Sequence, residues 1–297
     1  KWDDLPSIAF YMHKGTDNVF NKGDYILFYA RGSIGWTFVG GRWRHTRNPY
    51  SDYGYYFLSD SAGEQRLITT ADVLSDSDAK DVDWFTRCML HEKEMINLVD
   101  KTGVNGGGRE FYGESLSESA NTLKLSFAAQ HVRRDMPMTC VANLASGSQN
   151  KSQFTLSMGG NNLTTSFSGV GGDFYERAKC DSIIMQVVAT STGTQTVRLL
   201  YSGTSSSDVG YLNYVELLVP TSLVMAGREM PIVNTAHIYQ NYNTRFLLSS
   251  PTPSTQIWRV TNGVDIQQMP TTITADGRLS WIGTNQQAEM YMAVDVT

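Results

Sequence analysis

Residues 138–162 read MTCVANLASGSQNKSQFTLSMGGNN. Apolar positions alternate through 138–144 and again through 153–158. Between and after them stand Ser146-Gly147-Ser148-Gln149-Asn150 and Gly159-Gly160-Asn161-Asn162. Period-two alternation gathers one set of side chains on a single sheet face. The Gly, Asn and Ser clusters supply the positive φ and the side-chain-to-backbone bonds that a strand reversal needs. The rhythm continues on both sides, with strands expected at 123–130, 183–190, 195–201 and 211–219 and a further turn cluster at 202–207. Turns at intervals near ten residues predict an antiparallel β-sandwich, jelly-roll-like, over 115–225.

Outward from that block, strands are expected at 24–30, 36–40, 52–58 and 65–70, and then at 245–249, 256–261, 279–283 and 289–296. Residues 226–297 are too few for a large core of their own. They are expected to pack with residues 1–114 as a strand-rich supporting domain, with 115–225 inserted between. One helix is expected at about 79–100, capped by Asp78 or Asp81, where Trp84, Phe85, Cys88, Met89, Met95, Ile96 and Val99 fall near helical spacing. Trp84 to Leu90 also alternates as a strand would. The fold class is therefore mainly β, with a sandwich, a second strand-rich domain and one short-to-medium helix. No repeat of fixed period is visible.

The 297 residues carry a formal charge of −5, without basic or acidic blocks, which argues against nucleic acid as a partner. No run of eighteen apolar residues offers a spanning helix. The start at Lys1-Trp2-Asp3-Asp4 and the strand-like, uncapped end at 290–297 give the expectation of a piece of a longer protein. Three cysteines, Cys88, Cys140 and Cys180, make no disulfide framework. Cys140 and Cys180 could pair, but small buried thiols are the better expectation.

Four stretches bear on chemistry. His91-Glu92-Lys93-Glu94-Met95 lacks the second His that a helical zinc site needs. Cys88 and His91 would meet if helical, yet Cys88 has apolar neighbours and no glycine turn to bind an oxyanion. Residues 17–24, DNVFNKGD, offer a partial calcium ligand set, with a plain turn as the simpler reading. Arg42, Trp43, Arg44 and Arg47, followed by Tyr50 and Tyr53 and then Tyr55 and Tyr56, form the densest basic-aromatic stretch. Such residues suit a protein contact, and they equally suit a hairpin whose arginines lie over exposed rings.

Four phrases carry a resemblance: GDYILFYA at 23–30, YSDYGYYFL at 50–58, HEKE…GREFYGE within 91–114, and GYLNYVEL at 210–217. In order and spacing they resemble the gingipain-like cysteine peptidases, and within them the PorU-type signal peptidase (sortase) branch of type IX secretion. The resemblance covers about residues 17–230. Asn213 departs from the Asp usual in the last phrase, and the loop 101–108 is longer than usual. IWRVT at 257–261 is faintly similar to a phrase that precedes the peptidase domain.

The resemblance implies signature structural residues at Asp24, Tyr25, His91, Glu92, Arg109, Tyr112, Glu114 and Tyr214. Arg109 and Glu114 are expected either to clamp a neighbouring domain or to form a buried pair anchored by Phe111 and Tyr112. A catalytic domain of this kind carries a His-Gly dipeptide, and none occurs here. The implied chain is the non-catalytic front of a larger peptidase, without a cofactor. Its implied partners are its own C-terminal peptidase domain and an outer-membrane barrel component. Its implied location is the surface or outer membrane of a Bacteroidota-type bacterium. The competing expectation is a stand-alone cell-surface module that binds carbohydrate or protein. Against a glycan site, residues 115–225 hold only Tyr175, Tyr201, Tyr211 and Tyr214 beyond phenylalanine, and no Trp.

Overall fold

The computed structural model describes residues 5–17, 19–60, 65–98, 110–171 and 177–297. Among these residues all regular structure is β. The chain divides into two compact units, one of residues 1–86 with 222–297 and one of residues 87–221.

The first unit begins with β1 (Phe10–His13) and β2 (Tyr25–Phe28), an antiparallel pair, and β3 (Ile34–Val39) and β4 (Arg42–Arg47), another. Two short strands follow, β5 (Thr69–Thr70) and β6 (Lys80–Val82), and then β7 (Trp84–Glu92), which runs on into the second unit.

The second unit contains β8 (Ser115–Ser117), β9 (Thr122–Phe127), β10 (Pro137–Ser146), β11 (Ser152–Met158), β12 (Asn161–Phe167), β13 (Lys179–Val188), β14 (Gln195–Ser202) and β15 (Val209–Ser222). One sheet places β10 between β13 and β15, with β8 and β7 also on β15. The other runs β12-β11-β14-β9, and all its pairs are antiparallel. Alternate residues of β11 and β14 are buried, so Phe154, Leu156, Val197 and Leu199 join Cys140, Leu144, Met185 and Leu217 in one core. Burying each Leu or Val contributes roughly 1.5–3 kcal/mol. Gly210 lies against the rings of Phe154 and Tyr201, where any Cβ would collide. The Tyr201 hydroxyl in that core bonds to Ser146 and Ser148, so the buried phenol is satisfied.

The chain then returns to the first unit with β16 (Glu229–Val233), β17 (Thr244–Leu248), β18 (Thr255–Arg259), β19 (Gln267–Gln268), β20 (Thr272–Ile273), β21 (Leu279–Gly283) and β22 (Met290–Asp295). The early strands are built into these sheets: β6 pairs parallel with β17, and β5 parallel with β19. That is why the two ends of the chain make one unit. Its core stacks Phe246 on Trp281 at 4.9 Å, with Tyr291 edge-on to Trp281 at 5.6 Å. A smaller core gathers Ala9, Trp258, Val260, Ile266 and Val296 with Tyr11 and Leu27 of β1 and β2.

Three expectations are corrected. The helix at 79–100 is absent among the described residues: β6 and β7 occupy 80–82 and 84–92. The apolar residues 84, 85, 88 and 89 fit both periods, and sheet partners on β7 decided for the strand. Residues 99 and 100 lie outside the described residues. Residues 52–58 form no strand and are almost wholly exposed. Cys140 is a buried free thiol, as expected, but Cys180, also expected to be buried, is exposed; the two do not pair, since Cys140 faces Met185 across the ladder and Cys180 faces Ala145, five rungs away. At about 3.3 Å per residue that is far beyond disulfide reach.

Candidate functional site

Of the expected signature residues in 91–114, His91 and Glu114 are in contact at the end of β7. Past that strand, Ile96 and Tyr112 exchange two backbone hydrogen bonds of 2.8 Å. Gly113 N then donates to Leu212 O at 2.8 Å, and Leu212 N to Glu114 O at 2.9 Å. The return strand therefore lies along β15. At Gly113 a Cβ would stand 2.9 Å from the Lys93 Cβ, so this close approach needs glycine.

Glu114 is thereby placed between two donors. Its Oε1 accepts from His91 Nε2 at 2.9 Å and from Lys93 Nζ at 2.8 Å. Burial pushes the carboxyl up, but Lys93 and His91 outweigh it and hold it below its ordinary range. Glu114 Oε2 is buried without a hydrogen-bond partner among the described residues. Arg109, the expected partner of Glu114, lies outside the described residues. Glu92 and Tyr214 are half-buried. Tyr112 is buried against Tyr211, and its hydroxyl lies 3.2 Å from Cys180 Sγ. Burial and Cys180 push the phenol well above its ordinary value.

A polar network runs beside this joint. The pairing of β10 with β15 shifts after Asn143: Asn143 faces Tyr214 and Leu144 faces Leu212, which leaves Asn213 as the extra residue of a bulge. Asn213 Nδ2 donates to Glu110 Oε1 at 2.7 Å and to Asn143 Oδ1 at 3.0 Å. Asn143 Nδ2 donates onward to Ser182 Oγ at 2.9 Å.

The arrangement locks a joint and does not assemble a nucleophile. Cys88 and His91 are three residues apart on a strand, so they point to opposite faces. Burial, with Glu216 nearby, pushes the Cys88 thiol well above its ordinary value, which keeps it protonated and unreactive.

Asp24 and Tyr25 organise the entry to β2. Asp24 Oδ1 accepts from Gly15 N and Oδ2 from Asn21 N, both at 2.8 Å. Asp17 likewise accepts from Val19 N at 3.0 Å and Asn21 Nδ2 at 2.8 Å. These carboxylates are turned onto amides of their own turn. The Asn21 amide above all holds Asp24 below the usual carboxylate range. Tyr25 stacks on His13 at 4.8 Å and bonds to Val296 O.

The basic-aromatic stretch divides. Trp43 is only 2% exposed; it packs edge-on to Phe38 at 5.6 Å and donates Nε1 to Asn234 O at 3.1 Å. It belongs to the packing of the first unit and offers no exposed contact. Arg44 is exposed and Arg42 half-buried, while Arg47 bonds to Asp52 at 2.6 Å. Tyr50 and Tyr53 are 81% and 72% exposed.

Sequence reasoning missed one buried charged cluster. Glu289 is 0% exposed; Tyr291 Oη donates to its Oε2, and Arg259 Nη1 lies 3.4 Å from its Oε1. Burial raises the Glu289 carboxyl above its ordinary value despite these partners. Alternation in 289–296 could have placed Glu289 inward with Tyr291, but nothing in the sequence pairs it with Arg259.

No family model and no curated protein matches the chain. Among solved structures, dimeric latent PorU from Porphyromonas gingivalis is similar over 99% of this chain, with a TM-score of 0.84 and 22% identity. The chain spans 27% of that protein's length. A carbohydrate-binding module, CBM36-1 of a xylanase from the hindgut metagenome of Trinervitermes trinervoides, matches 44% of this chain and 95% of its own, at 16% identity and a TM-score of only 0.28. A second CBM36 module, in complex with calcium and xylotriose, also reaches 0.28 at 17% identity, over 44% of this chain and 98% of its own. The four phrases of the sequence and the agreement over nearly its whole length coincide: the chain is folded as a PorU-like fragment.

Proposed function

We propose that this chain is the non-catalytic front of a gingipain-like cysteine peptidase of the PorU type. Its task is to support and dock a peptidase domain that processes C-terminal signals of proteins exported by type IX secretion. The observation that carries this reading is the similarity to PorU over 99% of the chain, which accounts for only 27% of PorU. The joint at Glu114 supports it, because the signature phrases meet there as structure. The separation of Cys88 from His91 supports a non-catalytic role. By the same reading the parent is exported and sits at the outer surface of a Bacteroidota-type bacterium, beside an outer-membrane barrel.

The test is genetic. A strain whose parent gene lacks the codons for residues 1–297 should leave exported proteins with uncleaved C-terminal signals. Supplying exported 1–297 separately should restore cleavage. Normal cleavage in the deletion strain would contradict the proposal.

A further inference from the structure

Residues 50–58, YSDYGYYFL, form a ribbon outside any strand that is exposed at every position but Ser51. Tyr55 and Leu58 are 74% and 85% exposed, alongside Tyr50, Tyr53 and Phe57. Isolated exposed apolar residues are ordinary, but a contiguous run of this kind marks a contact surface.

The ribbon is held in place. Arg47 bonds to Asp52, and Ser51 Oγ donates to Tyr53 O at 3.1 Å. The Tyr56 hydroxyl donates to Arg31 O at 3.1 Å and accepts from Arg31 N. Gly54 lies so close to the Arg31 carbonyl that any Cβ would collide. Arg31 is itself anchored, with Nη1 donating to Asn262 O at 3.3 Å. Thus Gly54 and Tyr56 are held against Arg31, while Tyr53, Tyr55 and Phe57 are exposed. Tyrosines so fixed give contact area at little entropic cost on binding.

We infer that this ribbon is the docking edge for the remaining part of the same polypeptide. The inference rests on the proposed function. PorU is longer than its matched part by nearly three-quarters of its length, so the parent has ample chain to cover the ribbon. A tethered partner also needs only a small surface, since linkage gives an effective concentration of about millimolar.

The experiment is hydroxyl-radical footprinting of Tyr50, Tyr53 and Tyr55, read by mass spectrometry, on residues 1–297 and on the full-length polypeptide. The expected result is modification about tenfold slower in the full-length protein, as for side chains moved into a water-excluding contact, at every protein concentration. Equal modification in both overturns the inference. So does protection that grows with protein concentration, which assigns the ribbon to a second copy. Protection appearing only with added xylan or phospholipid vesicles also overturns it. Loss of the signal-peptidase reading would show as absent peptide cleavage by the full-length protein, a result the footprint does not depend on.

Discussion

Asn213 donates its side-chain amide to Glu110 Oε1 at 2.7 Å, from the bulge that interrupts the pairing of β10 with β15. Related sequences are expected to carry Asp at this point, and here an amide is what the geometry uses. It gives one hydrogen to a carboxylate and another to Asn143 Oδ1, neither of which an aspartate could supply. Asn213→Asp should destabilise the protein by about 1–3 kcal/mol at neutral pH, the cost of part-buried acceptors left unpaired and opposed. Adding Glu110→Gln should return much of that loss. A urea-denaturation double-mutant cycle measures it; a null coupling would show that the network contributes nothing.

Trp43 and Arg44 are neighbours with opposite fates. Trp43→Ala empties a buried site and should cost about 3–5 kcal/mol. Arg44→Ala on the exposed face should stay within about 0.5 kcal/mol of the wild type. Thermal and urea unfolding of the two variants distinguish them, and equal effects would mean that Trp43 is not buried.

Arg259 is the cation available to a carboxyl that has no exposure, Glu289. Arg259→Met should cost about 3–5 kcal/mol at neutral pH by leaving that carboxyl uncompensated. Because burial raises the Glu289 carboxyl, the folded state holds its proton more tightly than the unfolded state. The loss should therefore shrink as the pH falls and grow as it rises. Arg259→Met with Glu289→Gln should lose the steep pH dependence, as read from urea midpoints across a pH series.

Glu114 has the opposite sign. Its carboxyl is held below its ordinary value by Lys93 and His91 against burial. Its contribution is complete above the unfolded carboxyl range, near pH 4.3, and is lost as the pH falls through the lower folded value. Removing Lys93 with Lys93→Ala lets burial count for more, so the acid-side loss of stability should begin at a higher pH. An unchanged acid transition would show that the bond to Lys93 carries no weight.

Much of the second unit was legible because turns and alternation agreed there. Expected strands at 153–158 and 195–201 lie within or match β11 and β14, and 279–283 coincides with β21. β12 was hidden because Asn161 and Asn162 look like turn residues, although the reversal is confined to Gly159 and Gly160, both at positive φ. β16 was hidden by Pro231. The helix was misread because Trp84, Phe85, Cys88 and Met89 satisfy helical spacing as well as the alternation of the strand they form. In the structure His91 and Lys93 both bond to Glu114, more than twenty residues further along the chain. Partners set by such long-range pairing, including Arg259 with Glu289, leave no local periodicity to read. Exposure at 50–58 was equally hidden, since an exposed aromatic stretch and a buried strand can share the same alternation.

The proposed function places peptidase chemistry outside residues 1–297, and a cysteine-directed activity probe tests this most directly. Burial pushes the Cys140 thiol up to about 12 and Cys88 higher, while Cys180 is exposed beside Tyr112. A peptidyl acyloxymethyl ketone applied to the full-length polypeptide, with labelled peptides mapped by mass spectrometry, should mark a cysteine outside residues 1–297. Residues 1–297 alone should neither cleave peptide nor take the label at Cys88 or Cys140. Peptide turnover by 1–297, with label on Cys88, would contradict the account.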